Sequence, residues 1–205
     1  MADLDQLICK QEEKIRGELV KLAALHRERE PVQIENYKFK NGEGSFSLLE
    51  MFGAHDEMIL IHNMGKACAY CALWADGFNG YYDHLKTRAA FVVISNDTPE
   101  VQNDYRAAKG WKFPMYSAHG TSLSKDLGFY CENDKLFQPG VSYLKRDSEG
   151  KILHTTNAGF GPGDLFSSFW HLIELLPNGV NDWEPKNVYP VPNALQAAAN
   201  NAARQ

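Results

Sequence analysis

The residues best suited to chemistry are two cysteines, Cys68 and Cys71, which stand three positions apart. They follow an apolar run of strand length at 58–62 and open a segment, 68–85, whose large apolar residues have helical spacing. Unpaired N–H groups and the dipole at the start of a helix stabilise a thiolate, so the first cysteine of such a pair is a nucleophile. The second lies one turn deeper and can attack the mixed disulfide that the first forms. The spacing predicts thiol–disulfide exchange, with Cys68 attacking and Cys71 resolving.

Two other interpretations of the pair stay open. A zinc site needs two more ligands at metal-like spacing, but Cys9 and Cys131 stand alone and the seven histidines form no His-x3–5-His pair. Two inert thiols are the second alternative, because free cysteine often packs as a small core residue. The strand, C-x-x-C, helix order favours redox chemistry, so we expect no metal, no cofactor, and no part in the site for Cys9 or Cys131.

Composition narrows the classes of partner. The 205 residues carry a formal net charge of -5 and no basic cluster, so nucleic acid is not expected. The longest apolar runs are far shorter than the ~20 residues of a membrane-spanning helix. The N-terminus is acidic from Asp3 and has no apolar run typical of a secretory signal, which predicts a cytoplasmic protein. A chain of this length buries a sufficient core without disulfides, so its cysteines are free for chemistry.

Periodicity places these cysteines within an alternating order of elements. An amphipathic helix is predicted at 3–30, ended by Pro31. Strands are predicted at 58–62, 89–95, 113–117, 140–145 and 151–155, and helices at 68–85, 99–109 and from Asp164 to about 176. The glycine-rich segment 159–163 is interpreted as a turn before the cap Asp164 rather than as an anion site. This order predicts an α/β fold whose sheet has a parallel half and a hairpin at its edge.

Several stretches carry a resemblance to a known family. They are His62, the motif Cys68-Ala69-Tyr70-Cys71, the segment 73–80 (LWADGFNG), Gly110-Trp111-x-Phe113-Pro114, Pro139-Gly140-Val141-Ser142 and the lead-in 27–52. Over roughly residues 10–184 the chain resembles a bacterial thioredoxin-like family catalogued as a domain of unknown function. The resemblance implies thiol redox chemistry and a thioredoxin-like fold, a central mixed sheet flanked by helices, here with an added N-terminal amphipathic helix.

The resemblance also suggests a division of the chain. We expect an N-terminal amphipathic helix at 1–30, a thioredoxin-like domain at 31–184, and a flexible or partner-docked C-terminal tail at 185–205. The apolar stripe of the first helix must pack on the main body or on a second subunit. A homo-oligomer formed through this helix or through the tail is therefore a possible assembly.

Comparison with thioredoxin proper suggests further site residues. His62 stands six residues before Cys68, where thioredoxin has a buried acid, so we hypothesise that His62 is the general base for Cys71. The alternative is a histidine that is merely hydrogen-bonded at the end of a strand. For substrate contacts we expect four residues: Tyr70 within the motif, Trp74 one turn beyond it, Pro139, and Val141, which takes the place of thioredoxin's cis-proline.

These observations predict a thiol–disulfide oxidoreductase. Its substrate would be a protein or small-molecule disulfide, and the sequence does not specify the reductant. One alternative is a binding or scaffold protein of the same fold with redox-idle cysteines. Another is a small-molecule or peroxide reductase, although a peroxidatic site needs a threonine three residues before its cysteine and here that residue is Gly65.

Overall fold

The helices begin and end at residues suited to capping. In residues 2–189, which a computed structural model describes, the helices are α1 (Ala2–Glu28), α2 (Leu48–Met51), α3 (Ala69–Leu85), α4 (Pro99–Lys109), α5 (Leu123–Asp126) and α6 (Ser168–Glu174). Thr98 caps α4 by accepting a hydrogen bond from the Val101 N–H, and Pro99 fills the first turn, where its missing N–H costs nothing. Gly110 ends α4 with φ of 65°, a left-handed conformation that glycine adopts without strain.

Eight strands form one mixed sheet. The described residues contain ten strands, of which all but β7 and β8 belong to this sheet: β1 (Val32–Ile34), β2 (Lys38–Asn41), β3 (Gly44–Ser47), β4 (Glu57–Asn63), β5 (Ala90–Ser95), β6 (Met115–Ser117), β7 (Tyr130–Cys131), β8 (Leu136–Phe137), β9 (Gly140–Arg146) and β10 (Ile152–Gly159). The order in the sheet is β1-β10-β9-β4-β5-β6-β2-β3, and β7 and β8 pair separately. Strands β4, β5 and β6 run parallel, whereas β9 runs antiparallel to β4. The predicted parallel half is present, and the strand that precedes Cys68 lies at the centre of the sheet.

The core lies on both faces of this sheet. Met58 and Leu60 of β4 point into a cluster with the aromatic rings of Phe39 and Phe52. The alternate residue Ile61 points to the opposite face, where α3 packs. Because β4 and β5 are buried on both sides, they appear in the sequence as continuous apolar runs rather than alternating ones.

Two elements differ from the sequence prediction. The helix expected to start at Asp164 begins at Ser168, because the Asp164 carboxylate accepts the N–H groups of Phe166 (2.7 Å) and Ser167 (3.1 Å) and closes a separate turn. The β9–β10 hairpin is not the edge of the sheet, since β1 pairs with β10. Strands β1 to β3 were not predicted. They are short and largely exposed, so they bury too little to show an apolar pattern.

The first helix stands apart from this body along most of its length. Residues 3–22 of α1 are exposed, and the hydrogen bond that ties the helix to the sheet joins His26 Nδ1 and Thr156 Oγ1 at 2.7 Å. No helix within residues 2–189 is long and apolar enough to cross a membrane. Most of the predicted tail, from residue 190 onward, lies outside the described residues, and the predicted domain boundaries stay a prediction.

Candidate active site

A rigid loop connects β4 to the cysteine motif. Asn63 Oδ1 accepts the Gly65 N–H at 2.7 Å, and Asp97, just beyond β5, accepts the Lys66 N–H at 2.8 Å. Gly65 has φ of 107°, and a Cβ atom on it would lie 2.7 Å from the Asp97 carboxylate oxygens. Only glycine fits this approach without strain. The carboxyl ends of two neighbouring parallel strands therefore hold the backbone that leads into Cys68.

Cys68 is the N-cap of α3, and its sulfur is the capping group. With extended backbone angles (φ -91°, ψ 104°) it accepts the Cys71 N–H at 3.1 Å. Its pKa is lowered from 9.0 to about 7, first by a hydrogen bond from the Cys71 thiol and further by the N–H groups of Cys71 and Tyr70, although partial burial opposes the shift. Such a thiol is about half ionised at neutral pH. Cys68 is thus a half-buried free thiol with a lowered pKa.

Cys71 lies directly behind Cys68 and is 3% exposed. Its sulfur accepts the Met64 N–H at 3.4 Å. Its pKa is raised, first by the hydrogen bond that its thiol donates to Cys68 and then by burial. Both cysteines are free thiols. The pair therefore combines a half-buried sulfur that is about half ionised at neutral pH with a protonated, shielded one, an arrangement that can support sequential attack and resolution.

His62 is buried beside the motif. Its Nε2 lies 2.9 Å from Ser142 Oγ, its ring stacks on Phe129 with centroids 3.9 Å apart, and its Nδ1 has no partner within residues 2–189. Burial, with a smaller contribution from the charge of His154, lowers its pKa to about 3. His62 and Cys71 border the same cavity of about 10 Å³, roughly the space of one water molecule. The imidazole is neutral but holds a proton poorly, which disfavours the predicted role as general base.

The four predicted substrate contacts lie at different depths. Trp74 is 3% exposed and packs on Phe160 in the core, with ring centroids 5.4 Å apart, and Val141 is buried in β9 opposite Ile61. Pro139 is half-buried and borders the cavity next to Cys71. Tyr70 is also half-buried. Of the four, Tyr70 and Pro139 have surface that a substrate could touch.

The later part of the chain folds over the motif, which the sequence did not reveal. The Trp170 ring of α6 stacks on Tyr70, with centroids 6.1 Å apart and planes 24° apart. Asn187 accepts the Tyr105 hydroxyl at 3.1 Å and donates to the Lys66 carbonyl at 3.4 Å. These contacts join residues 82 or more positions apart, so no local pattern marks them. Asp97 was also missed, although its place after a parallel strand could have indicated it.

A metal centre has no support in the described part of the chain. Residues 2–189 contain no group of three or more His, Cys, Asp or Glu side chains arranged to hold an ion. Cys9 is exposed on α1, and Cys131 donates to Asp134 at 3.3 Å in the separate β7–β8 pair. The zinc alternative would need ligands that these residues do not provide.

Comparison with known proteins adds a family and a fold. Residues 2–193 match the family described as "Bacterial protein of unknown function (DUF899)". Among curated proteins, none matches this chain.

Similar solved structures include three peroxiredoxins. Reduced Prx3 of Vibrio vulnificus, in complex with H2O2, has 17% identity and a TM-score of 0.51, covering 66% of this chain and 86% of its own. Peroxidoxin BcpB of Mycobacterium tuberculosis has 17% identity and a TM-score of 0.50, with coverages of 64% and 85%. The bacterioferritin comigratory protein of Xanthomonas campestris has 14% identity and a TM-score of 0.50, with coverages of 60% and 80%. These likenesses confirm the predicted thioredoxin-like fold.

Proposed function

The chain belongs to the bacterial DUF899 family of proteins of unknown function, and we propose that it is a thiol–disulfide oxidoreductase with Cys68 and Cys71 as its dithiol. The observation that carries the proposal is the pairing at the start of α3. The Cys68 sulfur caps the helix with a pKa of about 7, and the protonated Cys71 thiol is buried behind it. An idle pair of core cysteines would need neither the capping position nor the lowered pKa.

The proposed reaction has two exchanges. The Cys68 thiolate attacks one sulfur of a substrate disulfide, forms a mixed disulfide and releases the other sulfur as a thiolate. Cys71 then loses its proton and attacks the Cys68 sulfur, which releases the second substrate thiol and leaves a Cys68–Cys71 disulfide. The substrate gains two electrons and the chain loses two. A separate dithiol reductant must return the chain to its starting state.

The resolving step requires a base for Cys71. In the mixed disulfide the Cys68 sulfur no longer accepts the Cys71 proton as a thiolate, which removes the largest cause of the raised Cys71 pKa together with the smaller effect of the Cys68 charge. The Cys71 thiol therefore becomes more acidic when it must react. His62 borders the same cavity, yet its low pKa makes it a weak base. The departing substrate thiolate is a stronger proton acceptor. We therefore retain the base role of His62 only as a hypothesis.

A small oxidant is the second candidate substrate. The Tyr70–Trp170 stack and the link from Asn187 to Lys66 occupy space around the motif that an extended protein substrate would need. With a hydroperoxide, the Cys68 thiolate would take the terminal oxygen and release an alcohol or water. Cys71 would then condense with the sulfenic acid to give the same disulfide and water. If the Trp170 ring over Tyr70 keeps protein substrates out, Trp170→Ala should speed turnover of a protein disulfide and leave turnover of a hydroperoxide unchanged.

The test of the dithiol is its equilibrium in glutathione buffers, with the oxidised fraction measured by alkylation and mass spectrometry. We expect a Cys68–Cys71 disulfide to form reversibly in the unchanged chain and in the double variant Cys9→Ser, Cys131→Ser. Cys71→Ser should instead accumulate a glutathione adduct on Cys68. If no disulfide forms and Cys68 reacts no faster than an ordinary thiol, the oxidoreductase proposal fails and a scaffold role becomes the better account.

Turnover assays then separate the substrates. Insulin reduction, reduction of a small aromatic disulfide and consumption of hydrogen peroxide are measured with dithiothreitol as reductant, using Cys68→Ser as the blank. Activity that survives Cys68→Ser does not come from this site. Activity with the small aromatic disulfide but not with peroxide would favour exchange, and the reverse would favour the peroxide route.

A further inference from the structure

Helix α1 carries an apolar stripe that the described part of the chain leaves uncovered. Seven large apolar side chains along this stripe are each 39% to 63% exposed: Leu4, Leu7, Ile8, Ile15, Leu19, Leu22 and Leu25. Most helical stability in proteins comes from packing of an apolar face, and this 27-residue helix packs little on the described body. Monomeric soluble proteins rarely expose contiguous apolar patches of this extent. The stripe therefore requires a partner surface.

The stripe is symmetrical about Ile15. At 3.6 residues per turn, one face of α1 carries positions 4, 8, 11, 15, 19, 22 and 26, which lie 4, 7 and 11 positions on either side of Ile15. If a second copy of the helix runs antiparallel about this residue, its Leu22 comes level with Ile8. The same face then meets itself along its whole length. Such self-complementarity is what a two-fold symmetric interface needs.

The charges on α1 favour the same arrangement. Its first turn carries Asp3 and Asp5, and its last turn carries His26, Arg27 and Glu28. Asp3 and Arg27 each lie 12 positions from Ile15, so in an antiparallel pair Asp3 of each copy comes level with Arg27 of the other, and the two acidic first turns lie about 36 Å apart. A parallel pair would place the acidic turns side by side, which is unfavourable.

A groove beside α1 gives the second copy a further contact. A cavity of about 590 Å³ lies between the C-terminal half of the helix and the sheet, lined by Leu22, Tyr143 of β9 and Phe166 among others. In the antiparallel arrangement the N-terminal turns of the second helix come level with this groove. We propose that two copies of this chain associate by antiparallel pairing of their α1 helices about Ile15, with the N-terminal turns of each covering the groove of the other.

The first test compares two substitutions on the same helix. Ile15→Glu places a charge at the symmetry axis in both copies and should raise the dimer dissociation constant at least about 100-fold. Val20 is 68% exposed but lies off the stripe, so Val20→Glu should leave the dimer intact. Sedimentation equilibrium measures the masses, and circular dichroism checks that both variants fold. An unchanged chain that is monomeric at tens of micromolar, or equal effects of the two variants, would overturn the proposal.

The second test fixes the direction of pairing by disulfide trapping. Ile15→Cys places two thiols at the symmetry axis, so diamide should link the chains into a covalent dimer. The two Leu4→Cys thiols would lie 22 positions apart along the seam, about 33 Å, and should not link. The unchanged chain controls for the native cysteines. A linked dimer of Leu4→Cys would indicate parallel helices and refute the antiparallel arrangement.

Discussion

The hydrogen bond that the Cys71 thiol donates to the Cys68 sulfur can be tested by removing that thiol. The Cys71 thiol is the first cause of the lowered pKa of Cys68, from 9.0 to about 7. At pH 7 a thiol of pKa about 7 is about 50% ionised and one of pKa 9 about 1%, a gain of roughly 50-fold in thiolate. The lower basicity reduces nucleophilicity about 8-fold over two pKa units, so the net rate advantage at pH 7 is about 6-fold.

Cys71→Ala should therefore move the pKa of Cys68 upward and slow its alkylation at pH 7 by up to about 6-fold. Above pH 9 Cys68 should instead be alkylated faster in Cys71→Ala than in the unchanged chain, because the more basic thiolate is the better nucleophile. Cys71→Ser keeps a hydroxyl donor, so the pH midpoint of the Cys68 alkylation rate should stay nearer to 7 in this variant. The assay is the iodoacetamide rate at Cys68 between pH 5.5 and 10, followed by peptide mass spectrometry. This reasoning would be refuted if the pH midpoint of Cys68 alkylation were equal in the alanine and serine variants. It would also be refuted if that midpoint lay above about 8.5 in the unchanged chain.

Three further predictions concern the surroundings of the motif. The unfolded chain protonates His62 below about pH 6.5 but the folded chain does so only near pH 3, so the free energy of unfolding should fall by about 1.4 kcal/mol per pH unit on acidification from 6 to 4. His62→Gln should remove that slope in urea titrations, and an unchanged slope would contradict the assignment. Gly65→Ala should cost about 1–3 kcal/mol because its Cβ meets Asp97 at positive φ, whereas Gly77→Ala, in open helix, should be neutral or stabilising; equal unfolding midpoints would count against this. Asn187→Ala should speed reaction of Cys68 with a bulky maleimide more than with iodoacetamide, and equal acceleration would exclude a steric role.

The parts of the fold that were predictable are those with a strong local pattern. Strand β4 is buried on both faces, and α4 has a capping threonine and a terminal glycine, so their bounds agree with the sequence almost residue for residue. Strands β2 and β3, at one end of the sheet, bury few residues and show no such pattern. Asp164 was predicted to cap the last helix, but its side chain closes a turn before that helix instead, and sequence does not distinguish the two roles.

The site was predictable only where its residues are neighbours in the chain. Cys68 and Cys71 share one helical turn, so their spacing alone indicates the geometry. Trp74 was predicted to contact substrate because it lies one turn beyond the motif, yet it packs in the core on the buried face of α3. The contacts of Trp170 with Tyr70 and of Asn187 with Lys66 depend on how distant segments pack together. The secondary-structure propensities of single residues do not encode such packing.

The sulfur cap on α3 couples a 17-residue helix to the oxidation state of the chain. A thiolate accepts the Cys71 N–H strongly because it is charged, whereas a disulfide sulfur carries no charge and accepts it weakly. In the disulfide form this one hydrogen bond is therefore weaker, although the covalent link still joins the two ends of the first turn. By thermodynamic linkage, the stability that the helix lends to the dithiol makes the disulfide a stronger oxidant. Amide hydrogen exchange at Cys71 should thus report the redox state directly, as a weakening of this one hydrogen bond.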